Sequence, residues 1–117
     1  MQYLLLIYAK EADYAAMDKK TSEAFSHEYD VFTQGIVKSG NFKGGERLRP
    51  TNTATTVRVK NGKAVNTDGP FVETREQLGG FYLIEAKDLD EATDIAARIP
   101  AAKHGCVEVR PIWPMNT

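Results

Sequence analysis

A chain of 117 residues has room for one hydrophobic core and is too short for two, so residues 1–117 are read as a single domain. Its 15 basic and 16 acidic residues leave a formal net charge of -1, with 42% hydrophobic and 26% charged residues, the balance of an ordinary globular domain. A nucleic-acid binder of this size normally carries a basic excess, so DNA and RNA are not expected partners.

The single cysteine, Cys106, excludes an internal disulfide and any multi-cysteine metal site built from one chain, and it fits a reducing, cytoplasmic setting. Met1 to Tyr8 is a continuous apolar run ending at Lys10 and Glu11. It lacks a preceding basic segment and is too short for a signal peptide or a membrane span, so it reads as a central strand buried on both faces.

Ala9 to Lys20 is mixed, with at most one helical turn at Tyr14-Ala-Ala-Met17. From Thr21 the period changes: Phe25, Tyr29, Phe32 and Ile36 recur at steps of four, three and four, which predicts a helix capped by Thr21 or Ser22. Ser39-Gly40-Asn41 ends it, Gly40 supplying a left-handed residue. Thr53 to Lys60 and Lys63 to Thr67 are strand-like runs joined by Asn61-Gly62, the signature of a tight hairpin. Gly79 to Ala86 reads as a strand. Asp88-Leu-Asp-Glu91 is a capping-box pattern opening a second helix, with Ala92, Ile95, Ala96 and Ile99 inward and Pro100 as its stop. Cys106 to Trp113 is the last strand.

The order strand, helix, strands, strand, helix, strand is that of an α+β, ferredoxin-like split βαβ domain carrying an extra hairpin. Two helices cover only one face of such a sheet. Alternation puts Glu108 and Arg110 on the face away from Val107, Val109, Pro111 and Trp113, and sets Arg58 apart from Val57 and Val59. The helix-free face is therefore expected to be half apolar and half charged, a cavity wall that a second copy would close.

The most distinctive stretch is Asn66-Thr-Asp-Gly-Pro-Phe-Val-Glu-Thr-Arg-Glu-Gln-Leu-Gly-Gly-Phe-Tyr82. With Gly44-Gly-Glu-Arg-Leu48, Thr55-Thr-Val-Arg58, Asp88-Leu-Asp-Glu-Ala92, Ala97-Arg-Ile-Pro100 and Glu108-Val-Arg-Pro111 in order, the chain resembles the YCII-related, or DGPF-domain, proteins. The resemblance covers nearly the whole chain. It implies a ferredoxin-like fold pairing into a dimeric α+β barrel in a bacterial cytoplasm. Some relatives look enzymatic, and others occur beside genes for extracytoplasmic-function sigma factors, which implies a protein partner in sigma-factor regulation. The short YCII branch carries a His and Asp pair, for which His27 is the nearest position; at 100° per residue it stands about 170° from the helix stripe.

The candidate catalytic residues are Asp68, Glu73 and Glu46. Asp68 precedes Gly69-Pro70, where an Asp commonly bonds the backbone two residues on or serves as a pocket acid. Pro70 keeps Gly69 out of the helical region, predicting an extended corner that aims Asp68 and Phe71 at the cavity mouth. Glu46 and Glu73 are the carboxylates beside glycine or turn segments, suited to general-base work if buried. The candidate ligand-binding residues are Arg58, Arg110, Glu108, Phe71 and Tyr82. Charged side chains inside strands either pair with one another as a brace or grip an anion bidentately, while one of Phe81 and Tyr82 belongs to the core and the other to the cavity.

His27 and His104 read as surface residues. The sequence holds no zinc-ligand spacing, nucleophile elbow or phosphate loop, so no metal or other cofactor is expected. The functional reading is a homodimeric module binding a small anionic organic ligand, without membrane or nucleic acid. The alternative is a metal-independent acid–base enzyme acting on a small organic acid.

Overall fold

The computed structural model describes residues 1–115. Its main sheet has four strands: β1 (Gln2–Ala9), β2 (Phe42–Arg47), β5 (Gln77–Glu85) and β6 (Cys106–Pro111), with β3 (Thr55–Lys60) and β4 (Lys63–Asp68) forming a separate two-stranded sheet. The strand order is β2-β5-β1-β6, and every neighbouring pair is antiparallel. This is a mixed α+β architecture.

The apolar run at the N-terminus takes the central position because it pairs on both edges. Leu5 lies opposite Tyr82 on one side and Val109 on the other. Its two faces are not alike. Tyr3, Leu5, Ile7 and Ala9 are buried, whereas Leu4, Leu6 and Tyr8 are only half-buried. The expectation of burial on both faces is corrected accordingly: the helices lie on one side, and the other side of the sheet has no second layer.

Three helices follow from the polar segments: α1 (Glu11–Ala15), α2 (Lys19–Lys38) and α3 (Leu89–Arg98). α2 starts earlier than its apolar stripe. Asp18, not Thr21 or Ser22, is the N-cap, its carboxylate accepting from the Thr21 N–H at 2.7 Å. The first turn carries Lys19 and Lys20, which no apolar period can report. Phe32 and Ile36 are buried against the sheet, while Phe25 and Tyr29 are half-buried. The helix ends as expected at Gly40, whose φ is +83°. Bonds from the Gly40 N–H to the Val37 carbonyl and from the Asn41 N–H to the Ile36 carbonyl satisfy carbonyls the last turn would otherwise leave free.

α3 is opened by Asp88, whose side chain accepts from the Glu91 N–H at 2.9 Å. The reciprocal bond falls one residue earlier than a strict capping box, since Glu91 Oε1 accepts from the Lys87 N–H at 2.9 Å. Ala92, Ile95, Ala96 and Ile99 are all buried, and a short 3-10 turn, Pro100–Lys103, leads into β6. Leu5, Ile36, Ile84, Ile95 and Ile99 form the fully buried centre of the single helix–sheet layer. β6 is shorter than the sequence suggested. Ile112 still donates to the Gln2 carbonyl, but Trp113 is exposed beyond the strand end. Among the described residues no helix is long and apolar enough to cross a membrane.

The two caps generate tests of different kinds. Asp88→Ala is expected to cost about 1 kcal/mol in chemical denaturation through loss of the N-cap bond. At α2 the bond from the Thr21 N–H holds the Asp18 carboxyl below its ordinary value. A depressed folded value means the stabilisation is present above the ordinary carboxylate range and is lost as pH falls through the lowered one. Asp18→Ala should therefore be less stable than wild type at neutral pH, and urea midpoints of the two should converge as the pH drops below about 4.

Candidate functional site

A cleft lies where β4 returns toward the main sheet. Asp68 closes the strand opposite Thr55, and the backbone then turns at Gly69, whose φ is +94°. The corner is left-handed rather than extended, a conformation glycine adopts without the Cβ clash other residues meet. Two bonds hold it: the Gly69 N–H donates to the Ala54 carbonyl at 2.7 Å, and the Thr56 hydroxyl donates to the Gly69 carbonyl at 2.8 Å. The bond expected from Asp68 to the backbone two residues on does not form, because residue 70 is proline and has no N–H. The Asp68 carboxylate has no hydrogen-bond partner among the described residues.

Behind this corner is a cleft of about 460 Å³, lined by Thr51, Asn52, Asp68, Gly69, Pro70, Val72, Glu73, Thr74 and Gln77. Its far wall is organised by Glu11, a residue sequence reasoning passed over. The Glu11 carboxylate accepts from both the Thr51 N–H, at 2.7 Å, and the Thr51 hydroxyl, at 2.9 Å. The Glu11 N–H donates to Gln77 Oε1 at 2.9 Å, and Gln77 Nε2 donates to the Thr74 carbonyl at 2.7 Å. Glu11 thus ties the start of α1 to the 3-10 turn Thr51–Thr53 by its carboxylate and to the entry of β5 by its backbone N–H. An acid two residues after a strand is the only trace of this in the sequence, and it points equally to a helix first turn.

Of the predicted site residues, Asp68 and Glu73 share the cleft. Phe71 stands between them in sequence but projects into solvent, 76% exposed. Glu46 is elsewhere, on β2 opposite Phe81. Glu108 and Arg110 lie on β6 opposite Leu6 and Leu4, on the helix-free face, and pair with each other through Arg110 Nε, at 2.9 Å, and Nη2. Arg58 lies on β3, in the other sheet, and is exposed. The Arg58, Glu108 and Arg110 cluster is therefore divided between two sheets.

Tyr82 belongs to the helix–sheet layer. Its ring packs edge-on against Phe32 and Phe42, at 5.3 and 6.2 Å between centroids, and its hydroxyl shares a 2.6 Å hydrogen bond with Thr33. Burial raises its phenol above the ordinary value, so the group stays protonated. Phe81, one residue earlier, faces the helix-free side opposite Leu6 and Glu46. His27 is exposed on α2, and the His104 ring lies 6.0 Å from Phe25.

A second polar–aromatic group was also missed. Tyr14 packs edge-on to Phe25 at 5.5 Å, and Phe25 packs on Tyr29 at 5.4 Å. Burial drives the Tyr29 phenol well above its usual range, the neighbouring Tyr14 adding to the effect, and burial raises Tyr14 against the opposing pull of Arg47. The four-three-four stripe contained Phe25 and Tyr29, but nothing in the period brings Tyr14 to them across the turn between α1 and α2.

These placements separate packing from binding at one position. Tyr82→Phe keeps the ring and deletes the bond to Thr33, and should cost about 1 kcal/mol in denaturation.

Comparison with known proteins accords with the resemblance in the sequence. The YCII-related domain family matches residues 1–116. The uncharacterized protein R00369 of Rhizobium meliloti (strain 1021) is 39% identical over 114 residues, covering 96% of this chain and 92% of that protein. The chain belongs to the YCII-related family.

Proposed function

We propose that the protein is a homodimer that binds a small organic molecule in the cleft at Asp68. The fold we assign to it is ferredoxin-like, an assignment supported by the order β2-β5-β1-β6 with α2 and α3 on one face. The dimer reading is supported by the other face. There Leu4, Leu6, Tyr8, Phe81 and Leu83 are half-buried beside Glu108, more apolar surface than a solvent face of a sheet needs.

The observation that carries the ligand reading is the unpartnered Asp68 carboxylate on a hydrogen-bonded corner, facing one cleft with Glu73. Asp68 is exposed, so its carboxylate is free to exchange water for a ligand group that donates hydrogen bonds to it within the cleft. The arginines expected to hold an anion are not part of this lining; it offers two carboxylates and the amide of Asn52, the Thr51, Thr74 and Gln77 side chains already bonding within the protein. The ligand class that fits is therefore a small amine or polyol rather than an organic anion.

The reading is tested by thermal shift with three panels: small amines, polyols and small carboxylates. Amines or polyols should raise the midpoint of wild type, since a ligand stabilises the state it binds. Asp68→Asn, isosteric but uncharged, should weaken that binding about tenfold or more, the usual scale for a hydrogen bond to a charged group. A response confined to carboxylates, or one unchanged in Asp68→Asn, would overturn the ligand assignment.

A further inference from the structure

The molecule is more extended than its length requires. Its radius of gyration is 16.3 Å, against about 13 Å for a compact chain of 117 residues. Its accessible surface is 8694 Å², against roughly 6,300 Å² for a compact monomer of its mass. The principal extents are 48 × 48 × 19 Å, a thin slab with a projection.

The β3–β4 hairpin is the chief projecting element. Neither strand packs more than marginally on any other helix or strand, and all residues of both strands except Thr56 are exposed. Its turn is well made, with Asn61 and Gly62 at φ of 52° and 77°. An isolated two-stranded hairpin is nevertheless marginal in water. Its side chains are not those of a solvated arm. The register puts Val57 and Val59 on one face with Ala64, and the two valines are 60% and 70% exposed.

We propose that this hairpin is an exchange arm, and that its occupant surface is the helix-free sheet face of a second copy of the same chain. The inference rests on the dimer proposed above and specifies how it is held. Two features of the chain select a second copy. The half-buried Leu4, Leu6, Phe81 and Leu83 provide an apolar bed that a single chain leaves uncovered. The arm is also basic where the sheet face is acidic: Arg58, Lys60 and Lys63 lie on the arm, on the face opposite Val57 and Val59, from which their side chains can extend past the hairpin edge, while Glu46 and Glu108 stand on the sheet face, where Arg110 is already bound to Glu108. Long basic side chains can cover apolar surface with their stems and reach acids at its rim. The surface in excess of a compact monomer, about 2,400 Å² on one chain, is more than the roughly 800 Å² that each partner buries in a standard stable interface, so the chain has uncovered area enough for one. Because β4 ends on Asp68, the partner on which the arm is seated also fixes one wall of the cleft.

The test compares dimer dissociation by analytical ultracentrifugation for wild type, the arm variant Val57→Asp/Val59→Asp and the sheet-face variant Leu6→Asp, with circular dichroism as the folding control. Wild type should sediment at twice the 13.0 kDa chain mass. The arm variant should keep the wild-type spectrum, since both positions are exposed, and dissociate about tenfold or more readily, as expected for charge placed in an apolar contact. In a second measurement, Val59→Cys in a Cys106→Ser background carries a benzophenone photo-crosslinker. Mixed isotope-labelled and unlabelled chains should then give inter-chain products mapping to strands β1, β5 or β6. A wild-type monomer would overturn both the dimer and the arm. A dimer lost in Leu6→Asp but undiminished in the arm variant, or crosslinks confined within one chain, would overturn the arm alone and leave the sheet-face dimer standing.

Discussion

The whole structure depends on a one-sided layer. A four-stranded antiparallel sheet exposes two faces, and α2 with α3 is wide enough to bury only one of them. Everything fully buried in the main sheet, from Leu5 to Ile84, looks toward the helices. The residues one step along each strand are left half-covered. That asymmetry explains why β1 carries no charged or amide side chain from Tyr3 to Ala9 yet alternates in burial. A strand destined for one dry face and one solvent face would carry polar residues at Leu4 and Leu6, and this one does not.

The same constraint governs what the insertion between β2 and β5 can do. Leaving the edge strand β2, the chain has no uncovered core to join on the helix side, so it runs outward as β3 and β4 and must return. The return is made at Gly69-Pro70, where the proline removes a donor and the glycine accepts a positive φ. The geometry frees the Asp68 side chain because its nearest backbone partner is missing. Had residue 70 carried an N–H, Asp68 could have satisfied itself locally. The motif's chemistry therefore follows from a deleted hydrogen bond, and Glu11 anchors the opposite wall by two bonds to Thr51.

Much of this was legible in the sequence where the signal is local. The Asn61-Gly62 turn, the Gly40 stop, the Asp88 cap and the Ala92-Ile95-Ala96-Ile99 stripe depend on neighbours three or four residues away, and period and turn chemistry report them directly. The Asp18 cap was lost because Lys19 and Lys20 carry no apolar signal. Placement across elements was less legible. Alternation establishes that Phe81 and Tyr82 face opposite sides, but only the register Leu5 to Tyr82 and Leu6 to Phe81 assigns which is core. Alternation also gave Arg58 and Arg110 equivalent positions within their strands. It could not say that the strands belong to different sheets. The web around Glu11 joins positions 11, 51 and 77, a non-local contact that no window of the sequence contains.

Asp68 is where the two halves of the argument meet. It ends β4, so its position is set by the hairpin, and it lines the cleft, so the ligand contact proposed for it would depend on that position. In an isolated chain the hairpin is held to the body mainly through the backbone on either side of it, with Thr56 and Ala54 bonding to Gly69 within the arm's own base. The far wall, by contrast, is tied to β1 and β5 through Glu11 and Gln77. One wall is thus fixed by the core and the other by the arm. If the arm is seated on a second copy, ordering it removes conformational freedom that the ligand would otherwise have to remove, and dimerisation and binding become coupled in the thermodynamic sense: each strengthens the other by the same factor. A site built this way would need no moving lid, because a second chain would supply the rigidity of that wall.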